Sequence, residues 1–410
     1  MIYFRKSGNL IPQLRVGYVW GGLLFFVFGG ILVGQAADRP DFKVAGGILE
    51  KAIEDKVFPG CTVAVGDSSR IHWSAGFGFT DYSRSSAVSS STIYDLASLT
   101  KVVGTTSVFM RLVGDGRIGL KDPVVKWLPE FASVEADSGK DEKRNKVTVE
   151  HLLTHTSGLP AWVPFYEDVD SYKELIKAVV STSMEVSAGT RYKYSDLGFI
   201  LLGEIAGRVM GRRLGELERE WIFQPLKMNR TMRNPKPEWW RFIAPTEIPP
   251  GESEAILGFV HDENSRSGEG LTGHAGLFSD VDDLSVFARE LLKAQDHESK
   301  VFNSGTVRLF TRRGNVIPDY HRGIGWALAT GQSSAGTVLS RDAFGHTGFT
   351  GTSLWMDGDL DLFVILLTNR VHPTRKNSRI PKVRTDLANE VGTIWKAWRK
   401  TGKRGPVNSK

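Results

Sequence analysis

Patterns typical of β-strands lie near both ends of this chain, and helical patterns lie between them. Residues 61–66 and 70–76 predict a hairpin near the start, whereas residues 325–329, 351–356 and 362–368 predict strands near the end. Strands so far apart in sequence can bury their apolar faces by joining one sheet. We therefore expect an α+β fold, in which an antiparallel sheet built from both chain ends is flanked by helices and carries an inserted helical lobe.

The predicted helices follow from apolar spacing and capping residues. Residues 44–53, 102–113, 197–209 and 385–398 have helical patterns, and residues 197–209 are apolar almost all round and so should be buried. Thr148 is expected to cap a short helix that carries His151 and His155. Ser279 and Asp282 predict a capping box for a helix through Leu292.

An uncharged, apolar segment of residues 16–34 follows three basic residues, Arg5, Lys6 and Arg15. It predicts export, either as a cleaved signal peptide or as an anchor retained in the inner membrane. The basic residues before it place the body in the periplasm or another extracytoplasmic space. We expect residues 1–37 to be this signal or anchor, residues 38–395 to be the folded body, and residues 396–410 to be a basic tail.

The positive charge of the chain is confined to its two ends. The net charge is +6, but nine basic residues before position 38 and after position 395 leave the body with a charge of about −3. A nucleic-acid-binding surface needs clustered positive charge, so no nucleic-acid partner is expected.

Few residues could form a metal site. The single cysteine, Cys61, excludes an internal disulfide and a cysteine-based zinc cluster, and its apolar surroundings predict a buried thiol. His151 and His155 are four residues apart on one predicted helix face, but no glutamate lies between them and no third ligand is nearby. We expect them to be structural or to position a loop, and we expect no metal.

Ser98 and Lys101 form a candidate catalytic pair. If a helix begins near Ser98, residues three apart share one face, and the hydroxyl lies at the positive end of the helix dipole. A serine beside an amine that can take its proton is the arrangement that an activated nucleophile requires. A surface helix with an unrelated serine and lysine has the same spacing, so the pair alone does not decide between the two.

Two further stretches could belong to the same site. Tyr194 lies in a polar turn beside a lysine and could relay a proton, although a packed aromatic would have the same pattern. His346, Thr347 and Gly348 precede Phe349 at the start of a predicted strand. The glycine there allows a substrate to approach the strand edge, and the N–H of Phe349 could donate to an oxyanion.

Together the three motifs resemble the serine β-lactamase and penicillin-binding protein superfamily, and most of all its class C β-lactamase-like branch, which includes DD-peptidases and esterases. Ser-x-x-Lys at 98–101, Tyr-x-Asp at 194–196 and His-Thr-Gly at 346–348 occur in the order typical of that superfamily. Residues 152–159 and 273–279 also agree with the branch. The resemblance spans the body and implies the β-lactamase/transpeptidase-like fold.

The resemblance implies acyl transfer through a covalent intermediate. Ser98 would be the nucleophile, while Lys101 and Tyr194 would share the general-base role, with the choice between them left open. The N–H groups of Ser98 and Phe349 would form the oxyanion hole. Asp196, His346, Thr347 and Gly348 would contact the substrate, and the chemistry would need no cofactor.

Two positions depart from the motifs of the superfamily. Asp196 stands where asparagine is more common, and His346 replaces the lysine of true β-lactamases and penicillin-binding proteins. A neutral imidazole offers a hydrogen bond but no fixed positive charge for a substrate carboxylate. We expect Arg322 or Arg370 to supply that charge.

The sequence therefore predicts an exported serine hydrolase that acts on a peptide, amide or ester bond of a small molecule or peptidoglycan peptide. Its location favours a D-alanyl-D-alanine carboxypeptidase-like enzyme, whereas His346 favours a carboxylesterase. A non-catalytic cell-wall binding or sensor protein with the same fold is the alternative from another class. If the N-terminal segment is not cleaved, the membrane is a further partner.

Overall fold

One antiparallel sheet built from both ends of the chain lies at the centre of the protein, as predicted. The computed structural model describes residues 39–132, 141–297, 299–314, 316–318, 320–330 and 333–401. Within these residues the sheet has six strands, in the order β2-β1-β9-β8-β7-β6. Their bounds are Gly60–Gly66 (β1), Ile71–Gly78 (β2), Ala327–Leu328 (β6), Phe344–Thr347 (β7), Ser353–Asp357 (β8) and Leu362–Thr368 (β9).

The two middle strands are apolar on both sides because helices cover both faces of the sheet. Strand β1 pairs with β9 so that Val63 lies opposite Leu366, and every residue of both strands is buried. Alternate residues, such as Val63 and Ala64, belong to two separate apolar clusters. Burying one large aliphatic side chain stabilises the fold by about 1.5–3 kcal/mol, so covering both faces fixes the sheet between its helices.

The helices are divided between these two faces and the inserted lobe. Helices α1 and α13 share the cluster on one side of the sheet, and α11 packs on the other side. The helix bounds are Lys43–Glu54 (α1), Ser107–Gly114 (α2), Asp141–Asn145 (α3), Val149–Leu153 (α4), Tyr172–Val180 (α5), Asp196–Met210 (α6), Leu214–Glu218 (α7), Gln224–Leu226 (α8), Pro237–Trp240 (α9), Glu263–Ser267 (α10), Val281–Asp296 (α11), Ser304–Thr311 (α12) and Ile380–Lys400 (α13). The predicted helices at 44–53, 197–209 and 385–398 are confirmed as parts of α1, α6 and α13.

The helix expected from Ser98 onward is not a regular α-helix at its start. A 3₁₀ turn at Ala97–Leu99 leads into a π-helical stretch at Lys101–Thr106, and the α-helix α2 begins only at Ser107. Within the π-helical stretch, a Cβ on Gly104 would lie 2.2 Å from Oε1 of Glu218. The helical segment is therefore packed too closely on its neighbours to tolerate larger residues there.

Three local expectations were wrong. The cap of α11 is Asp280, whose side chain accepts the N–H of Asp283, because Ser279 is paired in a strand. His155 lies beyond the end of α4 with a left-handed backbone (φ 58°), so it does not share a helix face with His151. A second small sheet, in the order β3-β5-β4, was not predicted because its strands are only two or three residues long: Tyr94–Asp95 (β3), Met232–Arg233 (β4) and Leu277–Ser279 (β5).

The two predicted terminal segments lie only partly within the residues that the structure describes. Residues 1–37, predicted as a signal or anchor, lie outside the described residues. None of the helices in the described part of the chain combines the length and apolar character required to cross a bilayer. Helix α13 continues to Lys400, so residues 396–400, which were assigned to the tail, belong to the folded unit.

Candidate active site

Ser98 is presented by a tight turn at the end of β3. The buried carboxylate of Asp95 accepts the N–H of Ala97 on Oδ1 at 2.8 Å and the N–H of His261 on Oδ2 at 2.6 Å. Ala97 has a positive φ of 46°, a backbone conformation that costs about 1–3 kcal/mol for a residue other than glycine. The Asp95 carboxylate thus holds a strained turn that places the Ser98 side chain at the surface of a cavity.

Lys101 lies behind Ser98 and is fully buried. Its Nζ lies 2.9 Å from Oγ of Ser98, 2.7 Å from Oδ1 of Asp196 and 3.1 Å from the carbonyl oxygen of His274. The contacts with Ser98 and His274 are hydrogen bonds, and the contact with Asp196 is an ion pair. Burial acts to lower the pKa of Lys101, but the charge of Asp196, joined by Tyr194, outweighs it and raises the pKa above its usual value. The resting site therefore holds a charged lysine.

Tyr194 completes the cluster around the candidate nucleophile. Nζ of Lys101 lies 5.0 Å from the centre of its ring, and its hydroxyl interacts with both Lys101 and Ser98. Burial raises the pKa of Tyr194, although the charge of Lys101 opposes that change. The resting side chain is therefore a neutral phenol, and the structure brings the three predicted catalytic residues together.

His155 supports the turn that carries Tyr194. Its ring packs on that of Tyr194 at 4.4 Å, and its Nδ1 accepts the N–H of Ser195 at 3.1 Å. Burial lowers the pKa of His155 well below its usual value, which agrees with a neutral imidazole in this role. His151 instead accepts the N–H of Thr148 on its Nδ1 at the start of α4. Both histidines thus have positioning contacts of the expected kind.

The loop after β7 is packed directly against the Ser98 turn. A Cβ on Gly348 would lie 2.1 Å from Oγ1 of Thr352 and 2.4 Å from the carbonyl oxygen of Leu96, so this position requires glycine. The hydroxyls of Thr350 and Thr352 donate to the carbonyl oxygens of Asp95 and Leu96 at 2.7 and 3.0 Å. These bonds tie the loop carrying the Phe349 N–H to the turn carrying Ser98.

Two arginines hold the same loop from behind. Arg384 donates through Nη2 to the carbonyl oxygens of Gly348 and Thr352 at 2.7 and 2.8 Å. Arg370 donates through Nε to the carbonyl oxygen of Phe349 at 2.7 Å. Sequence reasoning missed the supporting roles of Thr350, Thr352 and Arg384, because the residues they contact lie between 32 and 256 positions away along the chain. The positions of the arginines in the sequence gave no indication that they support the loop after β7.

His346 is buried in β7 beside the candidate catalytic residues. Its ring centre lies 5.9 Å from that of Tyr194, and its Nδ1 lies 2.8 Å from the carbonyl oxygen of Thr347. A carbonyl can only accept, so Nδ1 carries the proton and Nε2 is the acceptor of the neutral ring. Burial, reinforced by the positive charges of Arg322 and Lys101, lowers the pKa of His346 well below its usual value. The neutral imidazole that the sequence implied is thus favoured by its surroundings.

Asp196 differs from its expected role in substrate binding. It begins helix α6 and pairs with Lys101, and it is not among the residues that line the cavity. Asp196, Asp262 and His274 have ligand atoms within 4.8 Å of one another, close enough to hold a metal ion. However, Lys101 already supplies a cation to Asp196, and Nε2 of His274 lies 2.8 Å from Oδ1 of Asp262. All three side chains thus already have partners within the protein.

The cavity in front of Ser98 has a volume of about 700 Å³. Ser98, Tyr194, His346, Thr347, Gly348 and Phe349 lie in its wall, together with Arg322, Arg370, Arg375 and Arg384. The N–H of Phe349 makes no hydrogen bond with any other residue described in the structure. A substrate carbonyl group placed at Ser98 would thus lie next to the serine hydroxyl, with Lys101 and Tyr194 beside it. It would also lie next to the N–H of Phe349, which is free to donate.

A model of the beta-lactamase family matches residues 47–388. The chain is 30% identical over 349 residues to an N-acetylmuramyl-L-alanine amidase of Bacillus subtilis (strain 168), covering 77% of this chain and 78% of that protein. It is 31% identical over 312 residues to a protein of Escherichia coli (strain K12) named "Putative D-alanyl-D-alanine carboxypeptidase", covering 68% of this chain and 70% of that protein.

Solved structures share the fold at lower identity. EstCE1, a hydrolase with promiscuous acyltransferase activity, superposes with a TM-score of 0.69 at 20% identity, covering 84% of this chain and 97% of that one. A penicillin-binding protein homologue from Caulobacter crescentus gives a TM-score of 0.68 at 20% identity, covering 87% of this chain and 98% of that one. At this identity the likeness establishes the fold, an antiparallel sheet with flanking helices.

Proposed function

The chain belongs to the beta-lactamase family of hydrolases, and we propose that it cleaves a peptide amide bond through an acyl-enzyme on Ser98. The observation that carries the proposal is the buried ammonium of Lys101, which lies 2.9 Å from Oγ of Ser98 with Tyr194 beside both. A serine with an adjacent base and a third group that orients the base is the general arrangement of an activated nucleophile. A binding or sensor protein would not require that arrangement.

Acylation begins when the Lys101–Tyr194 pair has lost one proton. The pair then takes the proton of the Ser98 hydroxyl as Oγ attacks the carbonyl carbon of the substrate. The N–H groups of Ser98 and Phe349 stabilise the oxyanion that forms, in the manner of an oxyanion hole. Either Lys101 or Tyr194 can be the base, since both are protonated in the resting site and either can be the one that has lost its proton.

Collapse of the tetrahedral intermediate completes the first half of the reaction. The bond to the leaving group breaks, and the pair returns the proton to the leaving amine through the Tyr194 hydroxyl. In deacylation the pair takes a proton from water as the water oxygen attacks the acyl carbon. The bond between that carbon and Oγ of Ser98 then breaks, the pair returns the proton to Oγ, and the carboxylic acid leaves. The proton is carried between these groups by Lys101 and Tyr194 throughout.

The substrate class is proposed from the relatives and from the predicted export. The relatives named above are an amidase that acts on N-acetylmuramyl-L-alanine and a protein named for D-alanyl-D-alanine carboxypeptidase activity. A peptide or amide of peptidoglycan origin is the substrate that both names support, and an extracytoplasmic body would meet it. Carboxylesterase activity is the second candidate, because His346 is neutral and supplies no fixed charge for a carboxylate.

The test is covalent labelling of the full-length protein. It is incubated with a fluorescent penicillin and, separately, with an ester-directed fluorophosphonate, and mass spectrometry of the peptides locates the adduct. We expect labelling on Ser98 with at least one reagent and none in Ser98→Ala. Penicillin labelling supports the peptidase, whereas fluorophosphonate labelling with ester turnover alone supports the esterase. Absence of any Ser98 adduct, together with no turnover of peptide or ester substrates, would contradict the enzyme.

A further inference from the structure

A second buried pair of side chains, His274 and Asp262, lies close to Lys101 and has no part in the proposed mechanism. Nε2 of His274 lies 2.8 Å from Oδ1 of Asp262, and His274 is only 1% exposed. The carbonyl oxygen of His274 accepts a hydrogen bond from Nζ of Lys101 at 3.1 Å. His274 is therefore linked to the candidate catalytic lysine by its main chain and to a carboxylate by its side chain.

The imidazole is not required to hold that main chain in place. Thr105 donates through Oγ1 to the carbonyl oxygen of Gly273 at 2.6 Å. Arg233 donates through Nη1 to the carbonyl oxygen of Ala275 at 3.1 Å. These bonds fix the residues on both sides of His274, so its carbonyl oxygen would keep its position with a different side chain. The buried imidazole therefore needs a separate explanation.

The ring of His274 can gain a proton without losing its contact with Asp262. Burial acts to raise the pKa of Asp262, but the charge of His274 and hydrogen bonds from His274 and Ser265 hold that pKa well below its usual value. An ionised carboxylate only accepts, so Nε2 of His274 carries a hydrogen in both the neutral and the charged ring. Nδ1 is buried and has no hydrogen-bond partner among the described residues. Addition of a proton to Nδ1 therefore breaks no existing bond.

Two carboxylates lie close to this ring. Ligand atoms of Asp196, Asp262 and His274 lie within 4.8 Å of one another, and Asp196 also pairs with Lys101 at 2.7 Å. A charge of opposite sign within about 4–6 Å favours the charged form of a side chain. A charged His274 balances the four side chains, whereas a neutral ring leaves an excess negative charge in a buried cluster, which is costly.

Other charged or titratable side chains around this cluster come from several neighbouring segments, and they are Asp95, Tyr194, Glu218, Arg233, Glu247 and His261. Arg233 pairs with Glu218 at 2.7 Å, and His261 pairs with Glu247 at 3.1 Å. The carboxylate of Asp95 accepts two backbone N–H groups, and Tyr194 is a neutral phenol. None of these groups therefore supplies a free positive charge to the cluster.

We propose that His274, held by Asp262, is a positioning residue that supplies a positive charge to the Lys101–Asp196 pair and so helps Lys101 to lose its proton. The inference rests on the proposed function, in which the Lys101–Tyr194 pair must lose one proton before acylation. When that proton leaves, the carboxylate of Asp196 keeps one nearby cation instead of none. An asparagine, which is more common at this position of the superfamily motif, would need no charged partner.

The charge of His274 is measured by NMR in the full-length protein, labelled with ¹³C at the Cε1 atoms of its histidines. The resonance of His274 is identified by its absence in His274→Gln, or in His274→Asn if the glutamine variant does not fold. We expect the chemical shift of a charged imidazole at pH 7, and a larger neutral fraction at the same pH in Asp196→Asn. The measurement needs no turnover, so it does not depend on the proposed chemistry.

The effect on Lys101 is measured as the pH dependence of kcat/KM for ester hydrolysis. Loss of the positive charge in His274→Gln should move the acidic limb to higher pH by about half a pH unit or more, so that kcat/KM on that limb falls about threefold or more. The matched control is His72→Gln, because His72 is also buried and its Nε2 lies 2.8 Å from Oδ2 of Asp67, outside the cavity. That variant loses a similar buried pair and should leave the limb in place.

Three results would overturn the inference: a neutral His274 at pH 7, an acidic limb that stays in place or moves to lower pH in His274→Gln, or an equal displacement in His72→Gln. Labelling of Ser98 alongside any of them would retain the proposed function. If Ser98 forms no adduct and no substrate is turned over, the proposed function fails. A charged His274 whose signal responds to Asp196→Asn would still support the assignment of charge in that case.

Discussion

At the residue scale, the position that most changes the chemistry of the site is Asp196. The superfamily motif that the sequence resembles has asparagine more often here, and the structure shows the consequence of a carboxylate. Asp196 lies 2.7 Å from Nζ of Lys101 and raises the pKa of that lysine against the effect of burial. The negative charge therefore opposes loss of the proton that the Lys101–Tyr194 pair must release before acylation.

Replacing Asp196 by asparagine tests this link. The pKa of Lys101 is raised in the folded protein, so the pair remains protonated to higher pH, and activity is lost as the pH falls. Asp196→Asn removes the charge, and the acidic limb of the kcat/KM profile should move to lower pH. On that limb, kcat/KM rises about tenfold for each pH unit of displacement.

The control is Asp122→Asn, which makes the same change in a partly buried aspartate that pairs with Lys126 at 3.0 Å and does not line the cavity. Its profile should match that of the unmodified protein. A limb that stays in place in Asp196→Asn, or moves to higher pH, would show that Asp196 does not control the proton of the pair. The measurement is ester hydrolysis between pH 5 and 9 at constant ionic strength.

At the element scale, the loop after β7 and the turn after β3 act as one unit. The Thr350 and Thr352 hydroxyls join them, and Gly348 allows the two backbones to approach. Donors of an oxyanion hole must be positioned before the reaction, because their effect depends on a fixed distance to the developing charge. These threonines therefore set the separation between the N–H groups of Ser98 and Phe349.

Thr352→Val tests the hydrogen bond that connects the loop after β7 to the turn after β3. The change keeps the shape but removes the bond to the Leu96 carbonyl. We expect the free energy of unfolding to fall by about 1–3 kcal/mol, and kcat/KM to fall about tenfold or more because the Phe349 N–H is displaced. Urea unfolding and ester hydrolysis measure the two effects.

Thr311→Val provides the matched control for Thr352→Val. Thr311 is also buried, and its hydroxyl donates to the carbonyl oxygen of Val307 at 2.9 Å within α12. A similar loss of stability is expected, with no change in kcat/KM at a temperature where both variants are folded. If the two variants lose activity equally, the hydrogen bond between Thr352 and Leu96 has only a structural role.

At the scale of the whole molecule, the C-terminal helix α13 serves both the fold and the site. Trp395 packs in the cluster that covers one face of the sheet and is fully buried, whereas Arg384, about three turns earlier, holds the Gly348 loop. Helix α13 therefore covers one face of the sheet and also supports the wall of the cavity.

These two contributions can be separated by substitution. Trp395→Ala should lower the free energy of unfolding by about 3–5 kcal/mol, while kcat of the folded fraction is unchanged. Arg384→Met should lower kcat as well, because two carbonyls of the loop lose their donor. Trp395→Phe gives a smaller loss if the alanine variant does not fold. A fall in kcat per folded molecule in the tryptophan variants would contradict the separation.

Much of the fold could be predicted from local pattern. The hairpin of β1 and β2, the long helices α1, α6 and α13, and the return of the chain into one sheet all follow from apolar periodicity, which is a property of neighbouring residues. The elements that were missed or misplaced depend on distant partners. Strands β3, β4 and β5 are too short for periodicity, and the π-helical stretch after Ser98 has no distinctive composition.

The sequence by itself determined the chemistry available to this protein: a serine three residues before a lysine, a tyrosine in a polar turn, and a histidine in place of a lysine before Thr347. The tertiary structure decided what state those groups occupy. It pairs Lys101 with Asp196, keeps His346 neutral by burial, and leaves Arg322 without a partner among the described residues. Charge and hydrogen bonding act over a few ångströms in space, whereas these residues are separated by up to some 250 positions along the chain. The Ser98–Lys101 spacing was therefore readable, but the electrostatics that govern Ser98 were not.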